Sequence, residues 1–271
     1  MSEPKRDRRA AQTPSEVVRY ERRGSVVWLT IDRPASSNAL TFEVLRGLHA
    51  GLERATLDLD VRAIVLTGAG ERAFCAGADL KLAAANLNPD PAKTTTEYAE
   101  LLRALMACTL PLVARVNGHC LAGGMGLLAA CDLAVASDRA TFGLPEVKVG
   151  LFPMQVLGVL RRLVPARLLA EMCLSGEPLT AHEAHAAGLV NYVVAPEDLD
   201  TKTGWLLARL VDKSPTAQRR GKYAMRAIEG MTWSQALPYL ETQLATLALT
   251  EDAKEGPRAF VERRVPEWTG R

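Results

Sequence analysis

Three stretches of the sequence carry residues able to act on a polarised carbonyl. "GERAFCAGADL" (70–80) runs through Ala76-Gly77-Ala78-Asp79 toward a predicted helix. Small residues let a ligand approach the backbone closely. An Ala78 N–H at a helix start has no intrahelical acceptor and can point at an oxygen. Asp79 reads most simply as the helix N-cap. "VNGHCLAGGMGLLAACDLAVAS" (116–137) places Ala122-Gly123-Gly124 at a second junction of loop and helix. There the Gly123 N–H lies at the positive end of a helix. Together, Ala78 and Gly123 would form an oxyanion hole, which stabilises charge growing on a carbonyl oxygen by about 3 kcal/mol per donor.

The third stretch, "TFGLPEVKVGLFP" (141–153), carries Glu146 between two apolar runs. Leu144, Val147, Leu151 and Phe152 are expected to surround it. An apolar pocket raises a carboxyl pKa, which suits a group that both takes and returns a proton. The histidines offer less. His119 reads as a packed loop residue. "HEAH" (182–185) is one residue short of the zinc-protease spacing and reads as a helix surface.

These residues must be held by alternating strands and helices. "SVVWLTIDRP" (25–34), "VRAIVLTGAG" (61–70) and "LPLVARVNG" (110–118) are apolar, partly β-branched runs bounded by turn residues, and read as strands. "TFEVLRGLHAGLERATLD" (41–58), capped by Thr41, has helical spacing, as does "TTEYAELLRALMACT" (95–109). "GGMGLLAACD" (123–132) predicts a helix, "LAVASDRATFGLPEV" (133–147) two short strands, and "ADLKLAAAN" (78–86) another helix. A proline-bearing break over 86–93 predicts a mobile loop. This alternation predicts an α/β core with largely parallel strands. Strand signals stop near Leu199. The expected organisation is a basic disordered tail over 1–15, an α/β core over 16–198 and a helical C-terminal region over 199–271.

Bulk properties narrow the function classes. The 271 residues are 48% hydrophobic, enough for one large core. A net charge of +2 gives no reason to expect a polyanion partner, and the arginine-rich tail has no interleaved aromatics, so nucleic acid is not an expected partner. No apolar run approaches about 18 residues, so no membrane span is expected. Glu3 and Asp7 count against a mitochondrial presequence. The five cysteines form no C-x-x-C pair and sit mostly in apolar surroundings. Free thiols in a reducing compartment, hence a cytoplasmic location, are expected.

Six blocks in order resemble the crotonase, or enoyl-CoA hydratase/isomerase, superfamily. They are "IDRPASSNAL" (31–40), "AFCAGADLK" (73–81), the 116–137 block, "FGLPEVKVGL" (142–151), "SGEPLTAHEAHAAGLVNYVV" (175–194) and "EGPRAFVERRVPEW" (255–268). The resemblance covers about residues 16–271. It implies a spiral of ββα turns with a C-terminal helical oligomerisation region, in a homotrimer or dimer of trimers. It implies an acyl-CoA thioester as substrate and no metal or redox cofactor, coenzyme A being part of the substrate. Ala78 and Gly123 would hold the thioester oxygen. Ala78, Asp79, Leu80 and Lys81, with Gly123 and Gly124, would line the bound thioester and pantetheine. "RPASSNAL" would pass near the adenine, and Lys222 and Arg258 would meet CoA phosphates.

Hydratases of the family use two glutamates. Glu146 matches one; Gly126 stands at the position of the other. Hydration of a 2-enoyl-CoA with Glu146 alone is the leading expectation. The alternatives are 3-enoyl to 2-enoyl isomerisation with Glu146 as single acid and base, and a non-catalytic acyl-CoA or RNA binder.

Overall fold

The computed structural model describes residues 17–79, 92 and 94–271. The chain begins with an antiparallel pair, β1 (Val18–Arg23) and β2 (Val26–Ile31), turning at Gly24. The sequence signals β2 but not β1. "VRYERR" buries only Val18 and is otherwise partly or fully exposed, so it lacks the apolar alternation that marks a half-buried strand.

α1 (Phe42–Leu57) starts at Thr41, whose hydroxyl accepts the Val44 N–H, and buries Val44, Leu48, Leu52 and Ala55. Then follow β3 (Ala63–Gly68), β4 (Ala73–Cys75), α2 (Glu97–Ala107), β5 (Leu112–Val116), β6 (His119–Leu121) and α3 (Gly123–Ala130). β7 (Leu133–Ser137), β8 (Thr141–Gly143), α4 (Met154–Leu160), α5 (Ala166–Ser175), β9 (Leu179–Thr180), α6 (Ala181–Ala186) and β10 (Tyr192–Val194) complete the strand-bearing part. The remainder is helical: α7 (Leu199–Val211), α8 (Pro215–Ala227), α9 (Trp233–Ala248) and α10 (Glu251–Glu262).

Two sheets organise these elements. The larger has the order β1-β2-β3-β5-β7-β10, and every pairing after the first is parallel. The smaller has the order β4-β6-β8-β9, with only β8 and β9 antiparallel. On leaving β3, β5 and β7 of the large sheet, the chain enters β4, β6 and β8 of the small one. The repeat advances the α/β fold as a spiral and delivers the ends of the small-sheet strands to one region.

The large sheet is buried on both faces. Val27, Leu29, Ile31, Ile64, Leu66 and Ala114 join the main core, whereas Val26, Trp28, Ala63, Val65 and Val113 pack with Leu199, Leu206 and Leu207 of α7. A period of two sends neighbouring residues to opposite faces. With both faces covered, the strands read as continuous apolar runs. α8 is fastened by charge: Lys222 Nζ lies 2.6 Å from an Asp132 carboxylate oxygen and 2.6 Å from the Leu110 carbonyl, and Arg226 reaches Asp132 at 3.2 Å.

The helix expected over 78–86, the loop over 86–93 and the 1–15 tail fall almost wholly outside the described residues, as do Leu80 and Lys81. Among the described residues, no helix is long and apolar enough to cross a membrane.

Candidate active site

The turn after β4 abuts the turn before α3. Gly77 has φ +87°, and an added Cβ would stand 2.5 Å from the Ala122 Cβ and 3.1 Å from the Gly123 nitrogen. Only glycine fits both that conformation and that contact. Ala122 itself holds φ +49° and ψ −123°, a sparsely populated backbone state for a residue with a Cβ. Gly124 is pressed onto β4: a Cβ there would overlap the Cys75 carbonyl oxygen and lie 3.0 Å from the Cys75 Cβ. Core packing thus forces the two turns together.

Both expected donors are available, one for a different reason than the sequence indicates. Gly123 is the first residue of α3, and its N–H has no acceptor among the described residues. Ala78 does not begin a helix. It forms a parallel bridge with Leu40, in which Leu40 N donates to Gly77 O at 2.8 Å and Asp79 N donates to Leu40 O at 3.1 Å. In such a bridge the flanking residues make the bonds, and the Ala78 N–H points away from Leu40. It too has no acceptor among the described residues. The Leu40 side chain also reaches the second turn, 3.0 Å from where a Gly123 Cβ would stand.

Asp79 pairs its carboxylate with Arg33, at 3.1 Å. Arg33 also donates to Ala39 O at 2.7 Å. The buried Asn38 accepts from Arg33 N and donates to Ala69 O and Ala73 O. These bonds staple the "RPASSNAL" segment to the strand ends next to the Ala76–Asp79 turn.

Glu146 sits on a short 3-10 turn, Pro145–Val149, directly after β8. Its Oε2 is buried and has no hydrogen-bond partner among the described residues. Burial holds its carboxyl above the ordinary value of 4.5. An unpartnered buried carboxylate oxygen is costly, which makes Glu146 a candidate functional group. The surroundings differ from expectation. Leu144 is buried and Phe152 packs partly against the core, but Val147 and Leu151 are exposed on the outer side of the turn. The 3-10 geometry turns them away, and the glutamate faces other elements instead. Its charge is felt by Tyr98 on α2 and by Cys173 on α5, both of whose pKa values are raised, mainly by burial.

The space at Gly126 is filled. An added Cβ would overlap the Tyr98 hydroxyl and lie 3.2 Å from Tyr98 Cζ. The Tyr98 hydroxyl donates to the Gly123 carbonyl at 2.6 Å. Burial lifts its pKa well above 10, so it stays a neutral phenol. Sequence reasoning missed this residue. The available signal was its place in the apolar stripe Tyr98-Leu101-Leu102-Leu105 of α2, where it is the one member with a polar tip.

The remaining sequence candidates lie elsewhere. His119 is exposed, not packed, and its Nδ1 meets Thr141 Oγ1 at 2.7 Å. His185 pairs its Nδ1 with the Val190 carbonyl at 3.0 Å, and His182 is exposed on α6. Lys222 is engaged by Asp132 and the Leu110 carbonyl, which takes it away from any phosphate. Arg258 lines a charged cleft with Lys254, Glu255 and Arg264 on the C-terminal helices.

Comparison with known proteins identifies the family of the chain. The profile of the enoyl-CoA hydratase/isomerase family matches residues 21–271. The chain is 38% identical to the 2,3-dehydroadipyl-CoA hydratase of Escherichia coli over 262 residues, covering 95% of this chain and all of that one. It is 37% identical to the enoyl-CoA hydratase EchA19 of Mycobacterium tuberculosis over 256 residues, covering 93% and 96%. Among solved structures, the enoyl-CoA hydratase of Bacillus anthracis superposes with a TM-score of 0.88 at 28% identity, covering 94% of this chain and all of the other. With a family match over nearly its whole length and the same fold at this identity, the chain belongs to the enoyl-CoA hydratase/isomerase, or crotonase, family.

Proposed function

We propose that the protein hydrates a 2-enoyl-CoA thioester, with Glu146 as its only carboxylate acid and base. The buried, unpartnered Glu146 Oε2, taken with two unused backbone N–H groups on facing turns, carries this reading. The thioester oxygen accepts hydrogen bonds from Ala78 and Gly123, which stabilise the enolate as it forms. Water adds at C3, Glu146 takes a proton from it, and Glu146 delivers a proton to C2. Its raised pKa brings the carboxyl toward the range where both transfers are efficient. The pantetheine runs along Ala78, Asp79, Leu80 and Lys81 and past Gly123 and Gly124. Neither metal nor redox cofactor is called for, since coenzyme A arrives with the substrate. The printed names of relatives, among them hydratases and carnitinyl-CoA dehydratases, support this chemistry.

Gly126 favours one second reading. Without a second carboxylate, Glu146 can take a proton from C2 of a 3-enoyl-CoA and return it at C4, giving the 2-enoyl isomer. Incubating a trans-2-enoyl-CoA with the protein in deuterated water separates the two by mass. Added heavy water supports hydration. Exchanged deuterium without added water supports isomerisation. Loss of both in Glu146→Gln, with acyl-CoA binding kept, is expected; retained turnover removes Glu146 from the mechanism.

Self-association as a homotrimer or dimer of trimers, in the cytoplasm, completes the proposal. Exposed apolar residues on α9 and α10, including Trp233, Leu244 and Phe260, support an assembly that covers them.

A further inference from the structure

We propose that the Tyr98 hydroxyl is the second polar group at the reacting carbons, accepting a hydrogen bond from the water that adds at C3. The proposal rests on the hydratase reading above and names what stands in for the absent acid. Three observations converge on this residue. Its hydroxyl occupies the space a side chain at Gly126 would enter. It donates to the Gly123 carbonyl at 2.6 Å, which uses its one proton and leaves its lone pairs free to accept. Its ring lies against the hole, with Cζ and Cε2 3.6 Å from where a Gly123 Cβ would stand.

The hydroxyl is therefore fixed beside the backbone donor that holds the thioester oxygen. It also lies within range of the Glu146 charge. A phenol whose proton is committed and whose pKa is raised does not exchange protons in this cycle. It orients instead. The division of labour follows from the two side chains: Tyr98 holds the water oxygen, and Glu146 moves the proton. In the forward step the water oxygen bonds to C3, one water proton passes to Glu146, and the C2=C3 π pair shifts toward the thioester to form the enolate. The enolate then takes the Glu146 proton at C2 and the carbonyl re-forms. Tyr98 begins and ends the cycle protonated, and the net change is one water added across one double bond.

The test compares wild type, Tyr98→Phe and Glu146→Gln in two assays. One is hydration of a trans-2-enoyl-CoA. The other is deuterium exchange at C2 of a saturated acyl-CoA, which needs the hole and Glu146 but no added water. Phenylalanine keeps the ring packing, and a thermal melt checks the fold. Losing an orienting contact to the attacking water is expected to lower kcat for hydration about 10- to 100-fold. KM should stay within about twofold, and exchange should fall by no more than about threefold. Glu146→Gln should lose both reactions. Equal hydration by wild type and Tyr98→Phe overturns the assignment. So does a parallel fall of hydration and exchange, which would make Tyr98 a support for Gly123 only. A wild-type protein that exchanges but never hydrates overturns the hydratase reading itself, and this assignment with it.

Discussion

α3 and α9 are both rich in apolar residues, and they meet the rest of the chain in opposite ways. In α3 every residue after the first is buried, and its glycines lie against Cys75 and Tyr98. In α9 none of the residues is buried, and Trp233 and Leu244 are 77% and 67% exposed. α3 is held closely, by the Cys75 backbone at Gly124 and by the Tyr98 side chain at Gly126. α9 presents an apolar surface that a single chain does not cover. Apolar residues are thus packed away in one helix and left as a free face in the other. Contact with neighbouring backbone decides which.

Mutations that add or remove atoms should separate the two helices sharply. The largest loss of stability is expected from Gly124→Ala. Its Cβ meets the Cys75 backbone rather than a side-chain tip, so the strand or the helix must move. We expect a cost of about 3 kcal/mol or more by chemical denaturation. Near wild-type stability would break the comparison, because α3 would then not be locked.

Gly126→Glu comes next. The new side chain displaces the Tyr98 hydroxyl, which can swing away at a cost of about 1–3 kcal/mol. Combined with Tyr98→Ala, it should cost less than the two single changes summed, by about 1 kcal/mol or more. Strict additivity would show that the two positions do not compete for one space.

Glu146→Gln should change stability in the opposite direction, and only at higher pH. The folded protein holds the Glu146 proton more tightly than the unfolded chain does, because burial raises its pKa above 4.5. Between the ordinary and the raised value the folded state binds more protons, so stability falls as pH rises through that window. Above the window the full penalty of the buried charge is present. Glutamine removes it, so the variant should melt higher than wild type at neutral pH and alike at pH well below 4.5. A melting difference independent of pH would contradict this origin.

The smallest effect belongs to α9. Trp233→Ser and Leu244→Ser should alter the stability of the separated chain by no more than about 0.5 kcal/mol, because neither side chain is packed within it. The same changes should lower the mass of the assembled particle in sedimentation. An unchanged mass would mean that this face is not where chains meet.

Much of this architecture is legible without coordinates, for identifiable reasons. α1 and α2 carry whole helical periods and begin at Thr41 and Thr96, both of which cap as their residue type suggests. β3 is a nearly continuous apolar run, and β5 one broken only by Arg115, because both faces of their sheet are covered. Gly77, Gly123 and Gly124 stand out because turns this tight need residues without side chains. β1 is not legible, since an exposed, charged strand carries no alternating apolar pattern. Nor are the outward positions of Val147 and Leu151, which follow from a 3-10 turn rather than from hydrophobicity.

The sequence by itself determined the alternation of elements, the two small-residue turns and the lone glutamate after β8. Each depends on neighbours within a few residues, through periodicity, backbone freedom or the absence of a Cβ. Only the tertiary structure decided that Ala78 owes its unused N–H to a bridge with Leu40, and that Tyr98 reaches across from α2 to the space beside Gly126. The physical reason is the same in both cases. A hydrogen bond or a filled cavity between segments depends on how the intervening chain packs, and no local pattern encodes which distant atom will arrive.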